Sequence, residues 1–295
     1  MATSLPPDRK GEVIGGRYKL IEELGRGGQG SVYRARDLRD GDEVAVKILG
    51  VPAHREDEWR ERMMREAHAL TVLSGTAAVR ALHQAWTDDG ALCLVTELLH
   101  GTDFQDYLEQ REQRGQQFSI GELVSLLAPV VSTLEAAHNA GILHRDLKPR
   151  NIFILDNGGV RLLDFGFAKF TRMRTVTQAG LIAGSPNYIA PEIWRGATHF
   201  DHRIDVYSFG ALAFRALAGR PPFIAEGMQE ILRAVTTAER PSLHALRPDL
   251  PPAIDDWVQL ALAVDPEHRF ERVQAMWNAL GSLLPSSASE PESPS

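Results

Sequence analysis

The sequence is nearly free of cysteine. Cys93 is the only one in 295 residues, which excludes an intramolecular disulfide and a cysteine-based metal cluster and fits a reducing compartment. Flanked by Leu92 and Leu94, it reads as a buried, inert thiol rather than a nucleophile. Positive charge is not in excess either: 32 Lys and Arg stand against 39 Asp and Glu, a formal charge of −7, so neither nucleic acid nor an acidic membrane is expected as the main partner. The opening stretch MATSLPPDRKGE lacks the apolar segment of a secretory signal. Long apolar runs are missing too. Those at Leu123 to Val131 and Ala211 to Ala218 are broken by Ser, Pro or Arg and fall short of a membrane span. No repeat of solenoid length is visible. What remains is 43% hydrophobic and 24% charged, an ordinary soluble composition. The chain is expected to be cytoplasmic, with no membrane segment and no nucleic-acid partner, and long enough for one large domain or two modest lobes.

Strand-like alternation broken by glycines runs from Tyr18 to Leu49, with a turn at Asp40-Gly41, an antiparallel hairpin pattern. From Glu56 to Leu73 the spacing becomes helical, with Trp59, Met63, Ala67 and Leu70 on one face. Two short strands follow, Val79 to Trp86 and Leu92 to Glu97, around the turn Asp88-Asp89-Gly90. Beyond His100-Gly101 helices dominate: Phe104 to Glu112, Ile120 to Ala140 closed by Gly141, Ile204 to Ala218, Gly227 to Thr236 and Ala253 to Val264. Short strands are expected at Ile142 to Leu143 and between Phe153 and Leu163. The pattern is α+β and bilobal: a small antiparallel-sheet lobe with one main helix, over about residues 18–98, and a larger mostly helical lobe over about 101–284. Residues 1–17 read as an N-terminal extension. Residues 285–295 contain only Pro, Ser, Ala and Glu and read as a disordered tail or the start of a linker.

Gly25-Arg-Gly27-Gly28-Gln-Gly30 is open to three readings: a glycine-rich turn, a dinucleotide fingerprint, or a phosphate-covering loop. A dinucleotide fingerprint should open a helix, yet SVYRAR continues as strand. The glycines therefore sit in a hairpin whose N–H groups can cover phosphates without side-chain obstruction. Val44-Ala-Val-Lys47 ends the next strand on a lysine, which is either a snorkelling surface residue or an ammonium for phosphates. The second role needs a carboxylate. Glu66, nineteen residues on and beside the apolar helix face, is preferred over Glu58 and Glu61.

His144-Arg-Asp-Leu-Lys-Pro-Arg-Asn151, followed by Asp164-Phe-Gly166 and Ala190-Pro-Glu192, resembles the catalytic loop, metal motif and substrate-segment motif of the eukaryotic-type protein kinases. The ordered set of motifs, with the glycine loop and VAVK, covers Tyr18 to Leu284 and is similar in style to the bacterial Ser/Thr branch. The resemblance implies ATP and Mg²⁺ as cofactors, and protein substrates with Ser or Thr acceptors. It gives Asp146 the acceptor proton, Lys148 the transferring phosphate, Lys47 and Glu66 the ion pair that places ATP, and Asn151 and Asp164 the metal. For the nucleotide it implies Leu24 as a binding residue, with Gly25, Gly27, Gly28 and Gly30 over the phosphates. Val32, Ala45 and Phe153 should lie about the ring, with Thr96 as gatekeeper, the Glu97 and Leu99 backbone on the adenine edge, and Asp103 on the ribose. It also implies an internal stack of Leu70, Leu82, His144 and Phe165 anchored by Asp205, and a structural ion pair of Glu192 with Arg269.

Lys148 and Ser185 mark the Ser/Thr branch. Arg150 also occurs before the asparagine in tyrosine kinases, but their loop lacks Lys148-Pro149. The resemblance further implies activation by phosphorylation between Gly166 and Ala190, at Thr175 or Thr177, read by Arg145 and Lys169. Arginine-reading relatives carry acids where this chain has Arg150 and Arg215, so acidic residues upstream of the acceptor are expected to be tolerated or preferred. Two rival functions are a scaffold that keeps the fold without the chemistry and a small-molecule phosphotransferase. The first would have lost one of Lys47, Glu66, Asp146, Asn151 or Asp164, and the second would lack the APE segment. The oligomeric state cannot be read from the sequence.

Overall fold

The computed structural model describes residues 8–27, 30–49, 56–88, 90–165 and 186–284. The alternation from Tyr18 onward forms β2 (Tyr18–Gly27), β3 (Gly30–Asp37) and β4 (Glu43–Leu49), each antiparallel to the next. The β3–β4 turn uses Gly41 at φ +85°, a left-handed conformation that suits glycine. The sheet begins earlier than Tyr18. Residues expected as an extension form β1 (Val13–Ile14), paired antiparallel with β2, and Ile14 is fully buried. With β5 (Ala81–Trp86) and β6 (Leu92–Glu97) the order is β1-β2-β3-β4-β6-β5. The two edge strands then meet, because Gly15 N–H donates to the Trp86 carbonyl at 3.1 Å. That contact curls the sheet towards closure and covers an edge that would otherwise expose unpaired backbone.

Period two divides β6 between two cores. Cys93 and Val95 point into the curled sheet with Ile14, Tyr18, Tyr33 and Val46. Leu92 and Leu94 point the other way, into the core that holds the inner face of α1 (Glu56–Val72) and extends through the large lobe. Ala67 and Leu70 lie on that inner face; the side chains of Trp59 and Met63 fall outside those described. Segment 77–80 ties the lobes at the back. Leu162 N–H donates to the Ala77 carbonyl at 2.8 Å, Val79 N–H to the Leu162 carbonyl at 2.9 Å, and Ala77 N–H to Thr133 Oγ1 at 3.0 Å.

The large lobe opens with β7 (Gly101–Asp103) and α2 (Phe104–Gln113), which starts on an Asp103 cap. Next comes α3 (Ile120–Asn139), where Ser119 and Glu122 form a reciprocal capping box. By length and composition α3 is apolar enough to cross a membrane. Here that surface packs the lobe: Leu123, Leu127, Val130, Val131, Leu134 and Ala137 are buried in the core. Strands β8 (Ile152–Leu155) and β9 (Val160–Leu162) join β7 in a small sheet. Further on are α4 (Pro191–Trp194), α5 (Arg203–Ala218), α6 (Met228–Thr237), α7 (Leu243–Leu246), α8 (Ile254–Ala261) and α9 (Val273–Gly281). Helix α5 is buried from Ile204 to Leu217, the position of a central core helix. Ile142–Leu143 is not a strand. Its neighbours spend their N–H groups elsewhere: Ile142 on the Ala137 carbonyl, and His144 and Arg145 on the Asp205 carboxylate.

Candidate active site

Lys47 faces the cleft because Val46 and Ile48, on either side of it in β4, turn into the curled sheet. Its Nζ lies 2.9 Å from Glu66 Oε1 on α1 and 2.7 Å from Asp164 Oδ1. Glu66 reaches the cleft because Ala67 and Leu70 dock α1 on the core; Glu61, one of the two rejected candidates, is exposed and faces Arg65. Burial opposes the Lys47 charge, but the Asp164 and Glu66 carboxylates outweigh it and hold the ammonium well above the ordinary lysine range. Burial pushes the Glu66 carboxyl up against the pull of Lys47. Asp164 goes the other way: despite burial, Lys47 keeps it below the usual carboxylate range. One ammonium thus brings together three elements at a single point.

The catalytic loop is braced from below. Asp205, at the start of α5 and fully buried, accepts hydrogen bonds from the N–H groups of His144 and Arg145, each at 2.8 Å. His138 Nε2, at the end of α3, lies 2.9 Å from the same carboxylate. Burial works against the Asp205 charge, yet the His138 contact and the N–H donors hold its carboxyl below the usual range. These bonds fix Arg145 at φ +66°, a conformation that costs a non-glycine residue energy and persists only when its surroundings over-determine it. His138 went unnoticed in the sequence, since a lone histidine ending an apolar helix gives no signal.

His144 is structural, as expected. Burial lowers its pKa and keeps the ring neutral. Its Nε2 sits 2.9 Å from the Leu163 carbonyl, and its Nδ1 accepts the Asp146 N–H at 3.3 Å, so the proton belongs on Nε2. The ring lies 4.8 Å from that of Phe165, centroid to centroid. Asp146 is buried, and its Oδ2 accepts from Lys148 Nζ at 2.9 Å and Asn151 Nδ2 at 3.1 Å; Asn151 Nδ2 also donates to the Asp146 carbonyl at 2.7 Å. With its amide nitrogen committed, Asn151 has its side-chain oxygen left for a cation. Asp164, at φ +51°, supplies a carboxylate. Among the described residues no group of three or more His, Cys, Asp or Glu is placed to hold a metal. Two hard oxygen donors suit Mg²⁺ that keeps phosphate and water ligands.

Val32, Ala45 and Phe153 are half-buried at the cleft, as are Thr96, Glu97 and Leu99. Strand pairing sets Val32 beside Lys47, Ala45 beside Thr96, and Phe153 beside Asp103. Leu24 is 49% exposed, at the tip-ward end of β2 with Gly25 and Gly27. Gly30 opens β3; Gly28 lies outside the described residues. The sequence did not reveal what fixes the stretch around Glu97. Glu97 Oε1 accepts from Arg161 Nε on β9 and from Arg80 N–H, both at 2.9 Å, while its own N–H donates to the Arg80 carbonyl at 3.0 Å.

The structure corrects the expectation for Leu82 and adds in-chain partners to Asp103, Arg150 and Arg215. Leu82 does not join the internal stack. A register shift between Ala81 and His83 leaves Leu82 unmatched and 43% exposed, and Ala81 packs towards the core instead. Leu70 and Phe165 are buried as expected. Asp103 is already engaged on both oxygens, with Oδ1 capping α2 at Asp106 N–H (3.0 Å) and Oδ2 accepting from Arg150 Nη1 (3.1 Å). Arg150 and Arg215 do not stand as unopposed cations. Arg150 also lies 3.6 Å from Asp106, and Arg215 is buried against Glu112 of α2. Glu192 and Arg269 pair as expected, at 2.8 and 2.6 Å. Lys169, Thr175, Thr177 and Ser185 lie outside the described residues.

Residues 18–279 match the protein kinase domain family, and the chain belongs to it. Among curated relatives, the serine/threonine-protein kinase Pkn1 of Myxococcus xanthus is 35% identical over 91% of this chain and 38% of its own length. PknL of Mycobacterium bovis is 33% identical over 90% of this chain and 65% of its own. PrkC of Bacillus subtilis is 31% identical, over 90% and 40%. The chain therefore spans roughly two fifths to two thirds of these proteins. The crystal structure of the Mycobacterium tuberculosis PknI kinase domain superposes with a TM-score of 0.71 at 26% identity, covering 96% of this chain and all of that one.

Proposed function

We propose that this domain transfers the γ-phosphoryl of ATP to serine or threonine hydroxyls of proteins. The observation that carries the reading is Lys47 held between Glu66 and Asp164 while Asp146 is braced by Lys148 and Asn151. A scaffold that had lost the chemistry has no need for all six groups, and here they converge on one cleft. The named Ser/Thr kinases among the relatives support the acceptor class.

Phosphoryl transfer asks a protein mainly to position reactants and balance charge. In this reading Lys47 binds the α- and β-phosphates, with Glu66 fixing its position. Asp146 orients the acceptor hydroxyl and takes its proton, and Lys148 sits beside the transferring group. The Glu97 carbonyl and Leu99 N–H meet the adenine edge, and Asp103 meets the ribose by sharing its carboxylate with the α2 cap and Arg150. Asp164 and the Asn151 side-chain oxygen would hold Mg²⁺, which when bound would supply positive charge against the phosphates. Phosphorylation at Thr175 or Thr177 is proposed to raise activity, with Arg145 as one phosphate ligand. A preference for acids upstream of the acceptor now rests on Arg150 alone, which would have to leave Asp103 and Asp106 to meet them.

Incubation with labelled ATP, Mg²⁺ and a generic protein acceptor, followed by phosphoamino-acid analysis, tests the reading. Phosphoserine or phosphothreonine that disappears with Asp146→Asn supports it. Label that stays in ATP, or that enters a small molecule instead, sinks it.

A further inference from the structure

The segment before the family match is joined to the glycine-rich loop by a chain of polar contacts. Tyr33 stands on β3 and is buried in the core of the curled sheet, with two polar partners for its hydroxyl. That hydroxyl donates to Glu23 Oε2 at 3.1 Å and accepts the main-chain N–H of Arg9 at 3.3 Å. Glu23 in turn takes Arg26, the residue between Gly25 and Gly27, in a two-point ion pair with Nε at 2.8 Å. Arg9 is itself held, since Nη1 lies 3.1 Å from Glu12 Oε1. Its segment is locked to the sheet by Gly11 N–H on the Leu20 carbonyl and Leu20 N–H on the Glu12 carbonyl, both at 2.9 Å, and by the burial of Ile14.

A glycine-rich hairpin has high backbone freedom, and ordering it over phosphates costs entropy at the moment of binding. A tether that fixes its near strand before binding lowers that cost. β2 is the near strand, and it carries register irregularities between Leu20 and Glu22 and between Glu23 and Gly25, so its ladder alone holds the approach to the loop weakly. The Tyr33 hydroxyl sits beside that irregular stretch, and Val32, the residue before it, faces the nucleotide cleft. We propose that Tyr33 is a positioning residue for nucleotide binding: its hydroxyl couples the segment Arg9–Arg17 to Glu23 and Arg26 and so pre-orders the glycine-rich loop. The inference rests on the nucleotide-binding part of the proposed function and goes beyond it in giving a role to residues that precede the family match.

Tyr33→Phe keeps the buried ring and removes only the hydroxyl. The expected result is a rise in KM for ATP of about fivefold, the scale of one ordinary hydrogen bond, with kcat at saturating ATP unchanged. Amide exchange should quicken over residues 22–27. Glu23→Gln should give the same KM shift, and the double variant should add little, since both changes cut one chain of contacts. A merely structural tyrosine would lower the melting temperature of Tyr33→Phe and leave KM and exchange of the loop as in the wild type; that outcome overturns the proposal. Titration with a fluorescent ADP analogue reads the same coupling without turnover. If the wild type transfers no phosphoryl group, the kinase reading fails, while a weaker nucleotide affinity and faster exchange in Tyr33→Phe still uphold the tether.

Discussion

Glu192 and Arg269 lie 77 residues apart in the chain and close a two-point ion pair in which the arginine side chain is wholly buried. Arg269 also donates to the carbonyls of Ala263, Arg203 and Val264, so the pair joins α4, the approach to α5 and the end of α8. Glu192→Ala leaves that guanidinium without its counter-charge. The expected loss is about 3–5 kcal/mol of unfolding free energy, read from the urea midpoint. A loss under about 1 kcal/mol, the surface-pair scale, would show that the carbonyls alone satisfy Arg269.

Binding and turnover should separate by residue. Asp146→Asn keeps the fold and the contacts to Asn151, so nucleotide affinity should stay near wild type while turnover falls roughly a hundredfold or more. Lys47→Met should lose turnover as well, with altered nucleotide affinity. Calorimetric binding beside a transfer assay checks both, and an active Asp146→Asn enzyme would remove Asp146 from its role.

Acid should weaken the large lobe in two stages. His144 is held neutral by burial, so its folded pKa lies below the unfolded value; the unfolded chain binds the proton more tightly, and stability falls as pH drops below the ordinary histidine value of about 6.5. Asp205 is also depressed when folded, so its contribution is complete above about 4, the ordinary aspartate value, and is lost as pH falls through the lower folded pKa. Denaturant midpoints from pH 7.5 downward should show the first decline in the wild type and little of it in His144→Phe. An equal decline in both proteins would place the titration elsewhere.

Activation-segment phosphorylation gives a separate test. Mass spectrometry after incubation with ATP should find phosphate on Thr175 or Thr177, and the double alanine variant should lose most of its activity towards added substrate. Full activity in that variant would remove the proposal.

The in-chain pairing of the two arginines bears on substrate choice. Because Arg215 is buried against Glu112, Arg215→Ala should reduce stability without altering peptide preference. Arg150 is 57% exposed at its side chain, and Arg150→Ala should be the variant that changes selection at positions near the acceptor. A positional peptide library distinguishes them. A change of preference in Arg215→Ala alone would overturn this assignment.

Much of the site was legible because its chemistry is local in sequence. Asp146, Lys148 and Asn151 fall within six consecutive residues, and a short loop can only place them together. Period-two alternation likewise fixed which way Lys47 and Ala45 turn. Glu66, preferred among three glutamates, pairs with Lys47 because the neighbouring apolar face of α1 docks on the core. The register shift at Leu82 was invisible, since a single unmatched residue leaves the alternation of its neighbours readable in either frame.

The sequence by itself determined the family, a small antiparallel sheet followed by a helical lobe, and the motif residues that line the cleft. Motif spacing and periodicity depend on nearest neighbours, which the linear chain records. Only the tertiary structure decided which charges are spent within the molecule: Arg150 on Asp103, Arg215 on Glu112, Arg161 on Glu97, His138 on Asp205. Each pair joins residues 47 to 103 positions apart. Whether a charged side chain meets a partner or solvent depends on how the elements pack, and that information appears only when the chain has folded.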